Sequence, residues 1–385
     1  MKSGLTADEE LFVGTTRRFL QDAVPTSVLR ELRDTPEGYE PGYWKTGAEL
    51  GWTSMLVAEE HGGGSISGNG LADLALLAHE FGRAAAPGPL LSTNVVASAL
   101  SRVGGESATE ALGALCAGEA VASWCWSEPR PHGGLGDIGA VAERSGAGWV
   151  LSGVKSPVEH GAQADLFLVT ARAEGGLVQL LVPAAQDGVT VTQLRSIDVT
   201  RRFARVAFDG VQVPATAVLG EPGHAAAEAE RQLREALVIQ VAEMAGAMDR
   251  AFELTVAWAA DRYSFGRPLA SYQALKHRFA DMKMWLETSN ALVDAATEAV
   301  AGDDTDRATE LASVAKSYIG DHGPELCQDC VQMHGGIGLT FEHDLHFSLR
   351  RVALGRALIG TPREHRLRLT DLLERRNHER KATDR

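Results

Sequence analysis

Two long helical patterns separated by one charged turn constrain this chain more than any other feature. Glu243 to Ala260 is rich in Ala, Leu, Met and Val, with no proline and one glycine. Ala274 to Val300 has the same character, with Ala280, Met284, Leu286 and Leu292 among its apolar positions. Between them Phe265-Gly266-Arg267-Pro268 breaks the helix, because Gly permits unusual φ and Pro has no N–H for the ladder. Arg262 and Arg267 flank that turn, and Gln273 opens the next helix. Two forked cations and an amide suit a diphosphate or a carboxylate ligand. The competing reading is a pair of solvated loop charges. Physical chemistry alone leaves the two balanced, since phosphate-binding stretches are usually richer in glycine.

At 385 residues the chain is long for one core, so two or three domains are expected. With 44% hydrophobic and 23% charged residues it has an ordinary globular composition. No apolar run reaches the length of a membrane span, and Met1 to Glu10 lacks the apolar core of a signal peptide, so a cytoplasmic protein is expected. A net charge of −14 argues against nucleic acid as a partner. It leaves room for an anionic cofactor, which a few local arginines can hold. The four cysteines do not make a disulfide framework. Cys327-Gln-Asp-Cys330 is a lone CxxC within a helical pattern, and Cys116 and Cys125 have no paired spacing, so buried thiols are expected and no metal site.

Along the chain, residues 1–119 read as helical, with Asp8 to Asp22 amphipathic and Pro25 ending that helix. Leu56 to Gly64 is a glycine-rich loop, and Leu71 to Ala84 is another helix. Residues 120–224 change to short β-type runs at Val121–Ser127, Trp149–Ser152, Leu166–Ala171, Leu177–Val182, Val189–Thr192 and Val206–Phe208. Regular short strands suggest a small barrel or sandwich, which Leu219 to Gly223 closes. Residues 225–385 are helical again, and Arg375 to Arg385 reads as a charged tail that frays.

Arg262-x-x-Phe265-Gly-Arg-Pro, followed by Gln273, His277, Asp281 and Met282, resembles the signature of the acyl-CoA dehydrogenase family. A second stretch, Gln332-Met-His-Gly335-Gly336-Ile-Gly338, is similar to another motif of that family, in family order and at about family separation. The resemblance implies an α+β multidomain fold: an N-terminal helical domain, a middle β-barrel domain and a C-terminal four-helix bundle. It implies FAD, with Arg262, Phe265 and Gln273 holding the diphosphate of a neighbouring subunit's cofactor, and Gln332, Gly335 and Gly336 completing the clamp. Ser127, in Ser127-Glu128-Pro129, stands where the family has a hydroxyl at the flavin edge, and Thr361 belongs to the same site. His334 to His346, with Arg350-Arg351-Val352, is similar to the actinobacterial subgroup that includes heteromeric dehydrogenases of steroid side-chain thioesters.

Several positions depart from the family pattern. Arg130 to Asp137 replaces the short Gly-Ala-Gly-Ser-Asp segment, without the serine that helps hold the thioester arm. Pro157 stands where an aromatic covers the flavin, and Glu159 where a hydroxyl approaches it. The usual base position is Ile359, in Leu358-Ile359-Gly360-Thr361, and the alternative position is Ala236. Glu235, one residue earlier, turns away from the site by roughly 100° along a helix. It serves as base only if the helix start is re-registered, and the commoner role is a charge in a helix's first turn. Glu243 reads as a satisfied interior polar group.

The expected function is α,β-desaturation of an acyl-CoA or acyl-carrier thioester, with electrons passed to an electron-transfer flavoprotein. Homo- or hetero-oligomers are expected. Within that reading the chain is a complete enzyme with a displaced base, or a base-less partner subunit. Outside it stand a non-redox fold relative serving as a scaffold or acyl-carrier binding protein, and a flavin monooxygenase. The retained clamp residues count against a scaffold.

Overall fold

Thr6 starts the first helix, α1 (Ala7–Ala23), in a computed structural model that describes residues 4–104, 106–129 and 134–383. Its hydroxyl accepts from Glu9 N at 3.2 Å, while the Glu9 carboxylate accepts from Thr6 N at 2.7 Å. This reciprocal cap satisfies two orphan donors of the helix start. Helices α2 (Thr26–Leu32), α3 (Pro41–Glu49), α4 (Gly70–Ala84), α5 (Leu90–Val103) and α6 (Glu106–Cys116) follow before any described strand. Then come β1 (Ala122–Cys125), β2 (Val141–Ser145), β3 (Gly148–Glu159), β4 (Leu166–Ala173), β5 (Gly176–Pro183), β6 (Val189–Leu194), β7 (Phe203–Pro214) and β8 (Val218–Gly223). The remainder is α7 (Ala226–Asp261), the hairpin β9 (Tyr263–Ser264) and β10 (Arg267–Pro268), α8 (Gln273–Ala301), α9 (Thr305–His334), α10 (Leu345–Ala357) and α11 (Pro362–Thr383).

The expected order of helices, sheet and helices is therefore present. Three local readings change. β2 carries Glu143, Arg144 and Ser145, so its sequence does not read as a strand; register with β3 holds it, and Arg144 lies 4.6 Å over the Trp149 ring. Leu219 to Gly223, expected to close the β region, does so as part of a further strand, β8, which pairs with β5 through Val218 and Leu219. Of the charged tail expected at 375–385, residues 375–383 are the end of α11, with Arg376 donating to Glu310 at 2.8 Å, and 384–385 lie outside the described residues.

The chain divides into two compact units, residues 1–26, 75–86 and 237–385 in one, 27–74 and 87–236 in the other. In the second, the strands pair in the order β6-β7-β3-β2-β4-β5-β8, with β1 parallel to β4. Phe167 on β4 and Phe208 on β7 are three strands apart in that order, yet their rings meet edge to face at 6.1 Å. The sheet thus curls over one core, in which Trp149, Leu151, Val169, Leu180 and Val206 are all buried. The start of α7 belongs to this unit, where Trp124 Nε1 donates to Gln232 at 2.9 Å and Gln232 pairs with Gln179.

In the other unit α9 packs against α8, α10 and α11. There α4 and α7 cross backbone to backbone. A Cβ on Gly82 would stand 1.9 Å from Glu243 O, and one on Gly246 would stand 1.9 Å from His79 O. Arg17 of α1 forks onto Glu80 of α4 with hydrogen bonds of 2.8 and 2.7 Å. Burial alone would raise the Glu80 pKa, but the hydrogen bonds from Arg17, with the His79 ring 3.7 Å away, outweigh it and hold the group down to about 2.

Gly246→Ala is expected to force the two helices apart and lower stability by roughly 1–3 kcal/mol, read as a lower urea midpoint with an unchanged slope. The Glu80 carboxylate, depressed from 4.5 to about 2, stabilises the fold fully above pH 4.5 and loses that contribution as pH falls towards 2. Arg17→Met should lower the melting temperature at pH 7 and flatten its decline across that acid window. A decline as steep as the wild type's would place the acid sensitivity in other groups.

Candidate cofactor site

At the end of α7 the chain reverses through a two-residue hairpin loop. Ser264 pairs with Arg267, and the central residues Phe265 and Gly266 both have positive φ, 49° and 82°. That is the geometry of a type I′ turn. Glycine adopts it freely, whereas Phe265 does so at a cost. Its ring is 97% exposed and gains nothing from its own chain. Tyr272 braces the hairpin, its hydroxyl donating to Ser264 O at 2.7 Å, and Arg267 lies 3.8 Å over the Tyr272 ring.

Tyr272 also sits at the N-cap of α8 without supplying a side-chain cap, and the first turn of α8 holds no acidic residue. The start of a 29-residue helix, headed by the exposed Gln273, therefore keeps open N–H groups and the positive end of its dipole. Arg262 and Arg267 are exposed, and among the described residues no carboxylate pairs with either. In a chain of net charge −14 that is a notable omission.

The second motif ends α9. Gly335, with φ 67°, caps the helix by donating its N–H to Gln332 O. Gln332, Gly335 and Gly336 are all exposed, and a Cβ on Gly336 would meet open space. The two motifs, some 70 residues apart in sequence, meet through Trp258. Its ring stacks on His334 at 5.1 Å, and Arg262 Cζ lies 5.7 Å from the same ring. Sequence reading missed Trp258, although its place one helical turn before Arg262 is a usable signal. Cys327 and Cys330 are buried free thiols whose pKa values burial pushes up, so they do not react readily.

The loop after α10 is tied down from several directions. Lys316 of α9, fully buried, donates to Gln240 Oε1 at 2.7 Å, to Leu358 O at 2.6 Å and to Gly355 O. Burial, assisted by Arg356, lowers its pKa to about 7. His365 Nε2 donates to Ile359 O at 2.8 Å. Ile359 itself has a φ of 52°, a left-handed conformation that costs a β-branched residue of order 1–3 kcal/mol. The Thr361 hydroxyl accepts from Glu364 N at 3.3 Å and donates to the Glu364 carboxylate at 2.8 Å, so it caps α11.

The remaining carboxylates are engaged. Glu235 is ten residues into α7, not in its first turn, and is 3% exposed. It accepts from Arg102 at 3.0 Å and from Arg231 at 3.1 Å, so guanidiniums and not the helix dipole hold it. Glu243 is buried against Arg351, which also donates to Ala86 O at 3.1 Å. In the sheet unit, Glu159 is paired with Arg201, both nearly buried, which neutralises the carboxylate at that position.

Ser127 is half-buried and its carbonyl accepts from Ser156 N at 2.9 Å. Beside it Glu128 staples a loop: it accepts from Lys155 Nζ at 2.7 Å, from Gly139 N at 2.8 Å and from Ala140 N at 2.9 Å. Burial alone would raise its pKa, but Lys155 and the two amides hold it below the usual carboxylate range. The altered segment after Pro129 falls partly outside the described residues, at 130–133. Lys155→Met should strand the Glu128 carboxylate and lower stability by about 3 kcal/mol, measured by chemical denaturation. Restored stability in a Lys155→Met, Glu128→Leu double variant would confirm that the pair, and not the lysine's packing, is responsible.

Exposed Arg262 and Arg267 with no carboxylate partner among the described residues, and an uncapped helix start, are donors chemically suited to a multiply charged anion such as a diphosphate. No group of three or more histidine, cysteine or acidic side chains suited to a metal occurs among the described residues, and no described helix is long and apolar enough to cross a membrane.

Residues 6–119 match the family model described as the acyl-CoA dehydrogenase N-terminal domain, and residues 215–371 match its C-terminal domain. The chain is 30% identical to acyl-CoA dehydrogenase IpdE2 of Mycolicibacterium smegmatis, across 95% of this chain and 98% of that protein. It is 31% identical to the IpdE2 protein of Mycobacterium tuberculosis, across 88% of each. Among solved structures it is similar to a variant of the Tcur3481-Tcur3483 steroid ACAD, with a TM-score of 0.87, 25% identity and coverage of 96% and 98%.

Proposed function

Because the chain belongs to the acyl-CoA dehydrogenase family, we propose that it binds FAD and takes part in the α,β-desaturation of an acyl thioester, as one subunit of a mixed assembly that reduces an electron-transfer flavoprotein. The observation that carries the cofactor reading is the pair Arg262 and Arg267, without a carboxylate partner among the described residues, Arg267 lying over Tyr272 at the open start of α8 and Arg262 linked through Trp258 to His334, next to the Gly335–Gly336 turn. FAD, when bound, supplies the hydride acceptor. Arg262, Gln273, Gln332, Gly335 and Gly336 would hold its diphosphate, and the exposed Phe265 would reach a neighbouring subunit.

This reaction class needs a carboxylate to take the thioester's α-proton, and neither candidate position supplies a free one. Ile359 is apolar, and both oxygens of Glu235 are committed to Arg102, with Arg231 on one of them. A partner subunit is therefore the source of the base. The similar steroid dehydrogenase carries two designations in its name, which supports both a paired assembly and a bulky, ring-bearing acyl group.

Anaerobic bleaching of the bound flavin by a panel of acyl-CoAs tests the proposal, since it needs proton removal but no electron acceptor. The lone chain should retain FAD yet bleach roughly 10²- to 10⁴-fold more slowly than the co-purified assembly, the usual worth of general-base catalysis. Arg262→Ala should weaken FAD binding by about 1.5–3 kcal/mol, as expected for loss of a charge-assisted bond. Rapid bleaching in the lone chain, abolished by Glu235→Gln with FAD still bound, would assign the base to Glu235 and remove the need for a partner.

A further inference from the structure

We infer that Trp258 is the positioning residue that holds Arg262 and the Gly335–Gly336 turn together as one anion-binding unit, a role whose ligand rests on the FAD reading above. Trp258 stands one helical turn before Arg262 on α7, and the guanidinium lies 5.7 Å from the centre of its ring. The same ring stacks on His334, the last residue of α9, with planes 20° apart. His334 is fixed in turn. Its Nδ1 lies 2.7 Å from Cys330 O, and because a carbonyl only accepts, Nδ1 carries the proton. His343 packs edge-on against it at 4.5 Å. Gly335 follows directly in sequence, so displacement of the His334 ring displaces the turn.

The contact is made by rings alone. Trp258 Nε1 and His334 Nε2 are both buried without a hydrogen-bond partner among the described residues. A tryptophan retained for its N–H would have an acceptor. This one supplies area and a π face, to a histidine on one contact and a cation on the other. Arg262 has no carboxylate to restrain it, so the ring is what limits its rotamers before a ligand arrives. Without the ring, the cost of ordering that long side chain falls on binding.

FAD dissociation constants of the flavin-stripped, full-length protein test the role, for the wild type, Trp258→Phe, Trp258→Leu, Arg262→Ala and the Trp258→Leu, Arg262→Ala double variant. Trp258→Phe keeps a ring and should bind within about twofold of wild type, while Trp258→Leu should bind roughly 2- to 5-fold more weakly, the size of an exposed cation–π contact. In the Arg262→Ala background Trp258→Leu should cost less than in the wild type, because only its effect through His334 and the glycine turn remains. An equal loss in both backgrounds, or the same loss in Trp258→Phe, would overturn the inference. A second readout does not depend on flavin. Burial, with His343 nearby, keeps His334 below the ordinary histidine pKa, and Trp258→Leu should move its NMR titration upward. A wild type that takes up no flavin would sink the FAD reading alone. An unmoved His334 titration would sink the positioning role alone.

Discussion

The backbone contact between α4 and α7 sets the register on which most of the helical unit depends. With Gly82 against Glu243 O and Gly246 against His79 O, no side chain separates the two helices at their crossing. Helix α7 can neither rotate nor slide there without a collision of main-chain atoms. A helix transmits that constraint along its length at about 1.5 Å per residue, so Trp258 is fixed about 22 Å from Glu243. Gln240 thereby meets Lys316, Glu243 meets Arg351, and Trp258 meets His334. The last of these joins two motifs that sequence separates.

Charge is distributed in two contrasting ways. Buried cations have compensating oxygens: Lys155 has Glu128, Arg201 has Glu159, Arg351 has Glu243, and Lys316 has an amide and two backbone carbonyls. An unpaired charge in those places would be prohibitively costly. At the exposed turn the pattern reverses, and Arg262 and Arg267 lie over aromatic rings with no carboxylate partner among the described residues. Water can solvate them, so stability does not demand a partner. An anionic ligand then finds cations that need not first give up an ion pair.

The loop at Ile359 shows strain held in place by its surroundings. Lys316 and His365 pin the carbonyls of Leu358 and of Ile359 itself, and the Thr361–Glu364 cap fixes the next helix. Such over-determination is how a fold keeps a costly conformation. The backbone there presents one side chain in a set direction, and in this chain that side chain is apolar. Glu235, the nearest carboxylate by sequence argument, is instead locked between two arginines.

The chain's sequence determined the succession of helices, strands and helices and the break at Phe265 to Pro268, and it marked the residues proposed to hold a diphosphate. Those features are local: periodicity, Gly and Pro, and short motifs are written in adjacent residues. It did not show β2 or β8, because those strands owe their form to partners and not to their own composition. Nor could it say which carboxylates are free. Arg102 lies 133 residues from Glu235, and Arg351 lies 108 from Glu243. Pairings of that kind are decided only when packing brings distant side chains into a dry interior, where each charge must find its opposite. Trp258 belongs to the same class: its spacing from Arg262 is local, but the histidine ring on which it stacks is supplied by tertiary structure.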